Sequence, residues 1–285
     1  MFVPRHRTRS TQQEIADLED AIYEVAARER PVTVRGVFYR VMSLGLVPKT
    51  EQGYRRVQNR VLRMRRAHDL PYGWISDGTR YSLKPDTFDG LHDCLTQTAQ
   101  AYRRALWSDQ GVHVEIWSEK DAISGVIYSV TAEFDVPLMI ARGFPSETFL
   151  WSTGEAIRAE DVDLAVCYQL GDHDPSGVVA WEHTQRRLRE FVPAYVDLVF
   201  ERLAVTPEQI IDYGLPTRPT KKTTHGAHFE GESVEVDAMD SNVLRALVRE
   251  AIESHIDQHA LEITRVAEES ERKVLQRMAN RRRTR

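Results

Sequence analysis

Three acidic residues stand where apolar runs of the chain end. Glu119 follows VHVEIW at 112–117, and Asp172 and Asp174 follow VDLAVCYQL at 162–170, inside GDHDPSG. An Asp-x-Asp at the end of a strand turns two carboxylates toward one face, and carboxylate oxygens suit Mg²⁺ or Mn²⁺. Asp is also a common helix cap and turn residue, which accounts for one acid at such a place. Three acids on two strand ends repel one another, and a divalent cation is the expected offset. Glu119, Asp172 and Asp174 are therefore the candidate metal ligands.

A second group carries the opposite charge. Residues 30–85 hold twelve Lys or Arg against three acids, a net of +9, so the rest of the chain carries −14 of the overall −5. Within that stretch YRRVQNRVLRMRR at 54–66 places Arg55, Arg56, Arg60, Arg63, Arg65 and Arg66 on one helix. Val57, Val61, Leu62 and Met64 give it an apolar side at helical spacing. Such a helix is either a solvated arginine face or a phosphate-contacting one, and the scarcity of nearby acids favours phosphate.

The elements that must position these groups follow from periodicity and punctuation. Apolar spacing predicts helices over 11–28, 33–44 and about 50–68, with Gly45 and Pro48 between the second and third. Beyond Pro71, YGWISDGTRYSL carries an Asp77-Gly78 turn between short apolar runs, a hairpin signal. Three helices and a hairpin outline a winged helix-turn-helix. Residues 86–110 read as a helical linker. Strands are expected at 112–117, 136–141, 162–170 and 196–203, with helices after the first and third. That alternation argues for a parallel α/β sheet, whose reactive groups gather at the carboxyl ends of its strands. Residues 241–279 read as one long helix for packing or dimerisation, ahead of the basic tail NRRRTR.

Composition bounds the setting. The 285 residues are 41% hydrophobic and 28% charged, as in ordinary folded proteins. Cys94 and Cys167 are too few for a disulfide framework or a cysteine zinc site. No apolar run is long enough to span a membrane, and MFVPRHRTRSTQQE lacks the apolar segment of a signal peptide. A cytoplasmic, nucleoid-associated protein without a membrane partner is expected.

Glu119-Lys120 after one apolar strand and Asp172-x-Asp174-Pro175-x-Gly177 after a later one resemble the Toprim domain. The Pro-x-Gly ending is similar to that of the topoisomerase VI A subunit and meiotic double-strand-break transesterase family. Gly143-Phe144-Pro145, Asp212-Tyr213-Gly214-Leu215-Pro216 and Arg35-Gly36-Val37-Phe38-Tyr39 resemble further motifs of that family. The similarity covers about 30–250. It departs in length, in having Phe38 where the family has tyrosine, and in showing no ATPase motif, so the nearest likeness is a minimal stand-alone A-like form. The resemblance implies an α/β Toprim domain (parallel-sheet, Rossmann-like) at 111–236, preceded by an α+β winged helix-turn-helix (CAP-like) domain at 30–85. A helical arm at 1–29, the linker at 86–110 and a helical region at 237–285 complete it.

The same resemblance implies the chemistry. Tyr39 would be the nucleophile on double-stranded DNA, giving a 5′-phosphotyrosyl product, with Arg35 on the scissile phosphate or the phenolate. One Mg²⁺ (or Mn²⁺) would sit on Glu119 and Asp172 and a second on Asp172 and Asp174. A homodimer would set one chain's Tyr39 against the other's metal site, and an ATPase subunit on a separate chain is a compatible partner. Tyr39 can equally be a core residue, in which case the protein is a hydrolytic Toprim nuclease using metal-activated water, or a non-catalytic DNA-binding protein. Lys120, Lys221, Lys222 and Arg218 are further DNA-contact candidates. His173 is expected to point away from the acids. His225 and His228 lack a carboxylate frame and read as a solvated loop. Glu235 and Asp237 in SVEVDAMD are either auxiliary ligands or the polar side of an exposed strand.

Overall fold

In a computed structural model, residues 11–76, 84–220 and 231–283 are described. The chain opens with α1 (Gln12–Glu29), α2 (Val34–Ser43) and α3 (Glu51–Arg66). Each begins at a threonine, Thr11, Thr33 or Thr50, whose hydroxyl accepts a backbone N–H of the first turn. Their apolar stripes meet, with Leu18, Ile22, Val37, Val41, Val57 and Val61 buried. Leu62, expected on that apolar side, is 44% exposed, because it sits a third of a turn off the Val57–Val61–Met64 stripe.

The hairpin expected after Pro71 does not begin as a strand. Its first run forms a single 3₁₀ turn, Tyr72–Trp74, and then a bridge between Ile75 and Val32. Pro71 has no N–H to give a ladder, and the turn at Asp77-Gly78 lies outside the described residues. Among the described residues this stretch forms no strand pair beyond the single bridge to Val32. The expected linker holds one helix, α4 (Leu91–Ala101), followed by irregular chain.

A four-stranded, all-parallel sheet follows, built from β1 (Val112–Ser118), β2 (Leu138–Ile140), β3 (Leu164–Leu170) and β4 (Asp197–Ala204) in the order β2-β1-β3-β4. Helix α5 (Asp121–Glu133) joins β1 to β2, α6 (Glu147–Ala159) joins β2 to β3, and α7 (Pro175–Phe191) joins β3 to β4. The α/β reading thus holds. Helix α6 was not expected; its run ETFLWSTGEAIRA interrupts the apolar pattern with Ser, Thr and Gly. After α8 (Pro207–Asp212), the expected long C-terminal helix is two, α9 (Ser241–Glu253) and α10 (Gln258–Arg283). Asp257 breaks it, because its carboxylate takes the N–H groups of His259 and Ala260 and so caps a new helix.

The sheet is buried on both sides. Val112, Val114 and Ile116 pack with α5, α9 and the three N-terminal helices in one core, while Trp117, Ala165 and Cys167 pack with α6 and α7 in a second. From β1 the chain moves to β2 at one edge and then returns past β1 to β3. The order therefore reverses between β1 and β3, and the carboxyl ends of these two neighbours flank a natural crevice.

Candidate active site at the strand ends

Glu119 and Asp172 leave the carboxyl ends of β1 and β3 at that reversal point, and Asp174 follows one residue later. The Glu119 carboxylate accepts the N–H of Asp172 at 3.2 Å. It lies so close to the backbone that a Cβ on Gly177 would stand 3.0 Å from Glu119 Oε2 and 2.8 Å from the Asp172 carbonyl. Glycine at 177 is thus what admits the acid. Asp174 is the N-cap of α7, with Oδ1 accepting Gly177 N–H at 2.8 Å, and Pro175 starts the helix without wasting a donor.

Across the crevice stands the N-terminal helical layer. A cleft of about 720 Å³ is lined by Thr33, Arg35, Tyr54, Gln58 and Arg65 on one side and Glu119, Lys120, Asp172, Glu235 and Asp237 on the other. The two sides are tied at the base. Arg35 of α2 ion-pairs with Glu235, and Thr33 donates to Asp237 at 2.8 Å while accepting Gly36 N–H at 2.8 Å. Glu235 and Asp237 are buried and centre this contact, so the exposed strand face expected for them is not found. Ser233 and Val234 bridge to Arg218 and His173, and a 3₁₀ turn, Val236–Ala238, follows.

Lys120, expected on DNA, is turned into the acids. Its ammonium lies 2.8 Å from Asp172 Oδ1, 3.3 Å from Glu235 and 3.1 Å from Asp237. Burial disfavours the charge on Lys120, but the three carboxylates outweigh it and raise its pKa. Arg218 reaches Glu235 at 3.0 Å and Asp174 at 3.4 Å, and Arg202 donates to the Asp172 carbonyl. The protein's own cations therefore meet the acidic charge that seemed to require a metal. Among the described residues no group of three or more His, Cys, Asp and Glu is arranged to hold an ion. Asp172 is taken by Lys120 and the Val236 N–H, and Asp174 by its cap and Arg218. As arranged, these side chains do not fit the expected pair of divalent ions. Glu119 keeps the strain of the cluster. Burial and the neighbouring charge of Asp172 raise its pKa against the Asp172 N–H, which favours the carboxylate.

Tyr39 is 5% exposed and lines an adjoining pocket of about 270 Å³ with Arg35, Lys49, Thr50, Tyr54, Arg218 and Glu235. The Arg35–Glu235 pair, with Tyr54, forms the wall shared with the larger cleft. Burial, and then Glu235, push the Tyr39 hydroxyl up to about 12, while Arg35, Lys120 and Arg218 pull it back. Arg35 stacks over Tyr54 at 5.1 Å, which holds its guanidinium at the wall.

The six arginines of α3 divide. Arg60 pairs with Glu19 of α1 at 2.9 Å and Arg55 with Glu51 at 3.2 Å, pairings that the acid-poor local sequence did not suggest. Arg65 donates to the Tyr72 carbonyl, lies over its ring and faces the cleft. Arg56 is half-buried, and Arg63 and Arg66 are exposed. Lys221, Lys222, His225 and His228 lie outside the described residues. Gln58, Tyr54 and Arg202 escaped sequence reasoning; the first two share a helix face with Arg65, a spacing visible in the sequence. No family model, curated protein or solved structure matches this chain.

Proposed function

We propose that this chain is a DNA-cleaving transesterase resembling the topoisomerase VI A subunit, with Tyr39 as nucleophile. The observation that carries the reading is the Arg35–Glu235 contact. It brings a tyrosine-bearing helix of the N-terminal layer against the acid cluster, across 200 residues of sequence. In the step proposed, the Tyr39 oxygen attacks phosphorus. The new O–P bond forms as the bond from phosphorus to the 3′ oxygen breaks, and that oxygen takes up a proton. Arg35 and Arg218 stabilise the charge that develops on the phosphoryl oxygens. The phenol must first lose its proton to solvent, which also supplies the proton for the 3′ oxygen; Arg35, Lys120 and Arg218 ease that loss against burial and Glu235, which oppose it. Double-stranded DNA is the substrate, with the exposed Arg63 and Arg66 as outer phosphate contacts. A homodimer, each chain contributing one cut, is part of the proposal. Mg²⁺ or Mn²⁺ is tested as an addition rather than assigned a role.

One observation favours a second reading. A buried tyrosine held near 12 is a poor nucleophile, so water activated at the acids would serve a hydrolytic nuclease better. Supercoiled plasmid, incubated with Mg²⁺, Mn²⁺ or chelator and resolved with and without protease, separates the two. Wild type should leave protein on the 5′ ends; Tyr39→Phe, which removes the nucleophile, should abolish cutting, and so should Asp172→Ala, which takes from Lys120 and the Val236 N–H the partner that holds them beside the Arg35–Glu235 contact. Free ends made by Tyr39→Phe and lost in Asp172→Ala would establish hydrolysis instead. Intact plasmid in every lane would remove both readings.

A further inference from the structure

The pocket beside Tyr39 carries more positive charge than its acids absorb. Three cations line it, Arg35, Lys49 and Arg218, against Glu51 and Glu235. Glu51 is engaged by Arg55, and Glu235 by Arg35, Arg218 and Lys120, while Arg218 also reaches Asp174 at 3.4 Å from outside the pocket. Lys49 is left with the Thr217 carbonyl and makes no ion pair among the described residues. Burial, and then repulsion from Arg218, lower its pKa, with Glu232 and Glu235 only partly restoring it. A cation destabilised by a neighbouring cation is relieved by an anion placed between them. The pocket has room for one small anionic group, and Tyr39 is among its lining residues.

We infer that this pocket is a phosphodiester subsite, in which Lys49 and Arg218 hold a phosphate of a DNA strand beside Tyr39. The identity of the anion rests on the DNA reading above; the existence of an anion subsite does not. The chemistry is that of a singly charged phosphate met by one ammonium and one guanidinium, the point charge and the fork that phosphate recognition uses.

The test measures binding, not cutting. Anisotropy of a labelled duplex of about 30 base pairs, titrated in chelator over a range of salt, gives both affinity and salt slope. Lys49→Gln should weaken binding roughly fivefold to tenfold and lower the slope by about one. Lys49→Arg should keep the slope, and Lys273→Gln, on exposed α10 beside Glu269, should change neither. Equal affinity and slope for wild type and Lys49→Gln would overturn the subsite. The two proposals fail separately. An uncut plasmid with a lowered Lys49→Gln slope removes the cleavage reading and keeps the subsite. Protein-linked ends with an unchanged slope do the reverse.

Discussion

Tyr39 and Glu235 set each other's terms. Glu235 is a buried carboxylate whose desolvation is outweighed by Lys120, Arg35 and Arg218, which hold its pKa below the usual range. It therefore stays charged at neutral pH and opposes the Tyr39 phenolate. Glu235→Gln removes that opposition and leaves the three cations, so Tyr39 should titrate downward from about 12. The phenolate absorbance of Glu235→Gln, minus that of the same variant carrying Tyr39→Phe, reports this directly. An unmoved or raised midpoint would mean that Glu235 acts on Tyr39 only by positioning Arg35. The pair Gly177 and Glu119 gives a steric counterpart. A methyl at 177 meets the Asp172 carbonyl at 2.8 Å and Glu119 Oε2 at 3.0 Å, and the first of these is backbone that cannot swing aside. Gly177→Ala should cost about 1–3 kcal/mol in denaturant unfolding, the usual penalty of overpacking. A neutral substitution would show that the β3–α7 turn gives way.

Strand β1 carries its own buried ion network at the end away from the acids. His113 and Glu115 share with Trp117 the face that packs on α6 and α7. His113 Nδ1 lies 2.7 Å from Glu160 Oε2 and its Nε2 lies 3.1 Å from Glu115 Oε1, while Glu115 also accepts Trp117 Nε1–H at 2.8 Å. Burial lowers the His113 pKa, but Glu115 and Glu160 outweigh it and lift it to about 9. On its other side Glu115 meets the deeply buried Cys167 thiol of β3 at 3.7 Å. A pKa raised from about 6.5 on folding means that the imidazolium's contribution is complete below 6.5 and is lost as pH rises through 9. Stability should fall by on the order of 2–3 kcal/mol across that window, and His113→Gln should be less stable at pH 6 and flat through it. Urea midpoints at pH 6 and 9.5 check both. Such pairs mark the boundary of what sequence shows. The strand VHVEIW was legible as a strand because alternation and β-branching are local, and so were the Asp174-Pro175 helix start and the α1–α3 stripes. That its His and Glu are buried was not, because Glu160 comes from another element. Lys120 misled for the same reason. Next to Glu119 it looked like a surface cation, and the carboxylates it serves, Asp172, Glu235 and Asp237, arrive from 52 or more residues away.

At the scale of the molecule, the N-terminal helices and the sheet share one core rather than standing as beads on a chain. Buried side chains run without a break from Leu18 and Val37 through Val114 and Ile127 to Leu244 and Ile252. Polar staples cross the same seam. Glu29, fully buried at the end of α1, accepts Ser241 N–H at 3.3 Å and faces Arg40 Nε at 3.4 Å. Arg245 of α9 donates to the carbonyls of Glu29 and Pro31 at 2.9 and 2.6 Å and to that of Val126 at 3.0 Å. A seam this deeply buried couples its two sides, since opening it would expose apolar surface and strand several charges at once. Trp74 reports the helical side and Trp117 the sheet, and each becomes the sole indole probe when the other four tryptophans are replaced by Phe. Denaturant curves from the two probes should coincide, as a single cooperative unit requires. Glu29→Ala leaves Arg40 and the Ser241 amide without their buried partner and should cost about 3–5 kcal/mol, moving both curves together. If the Trp74 curve moves alone, the helical layer unfolds as a separate domain. The cleft between Arg35 and Asp172 would then be a hinged opening, not the fixed frame that holds Tyr39 beside the acids.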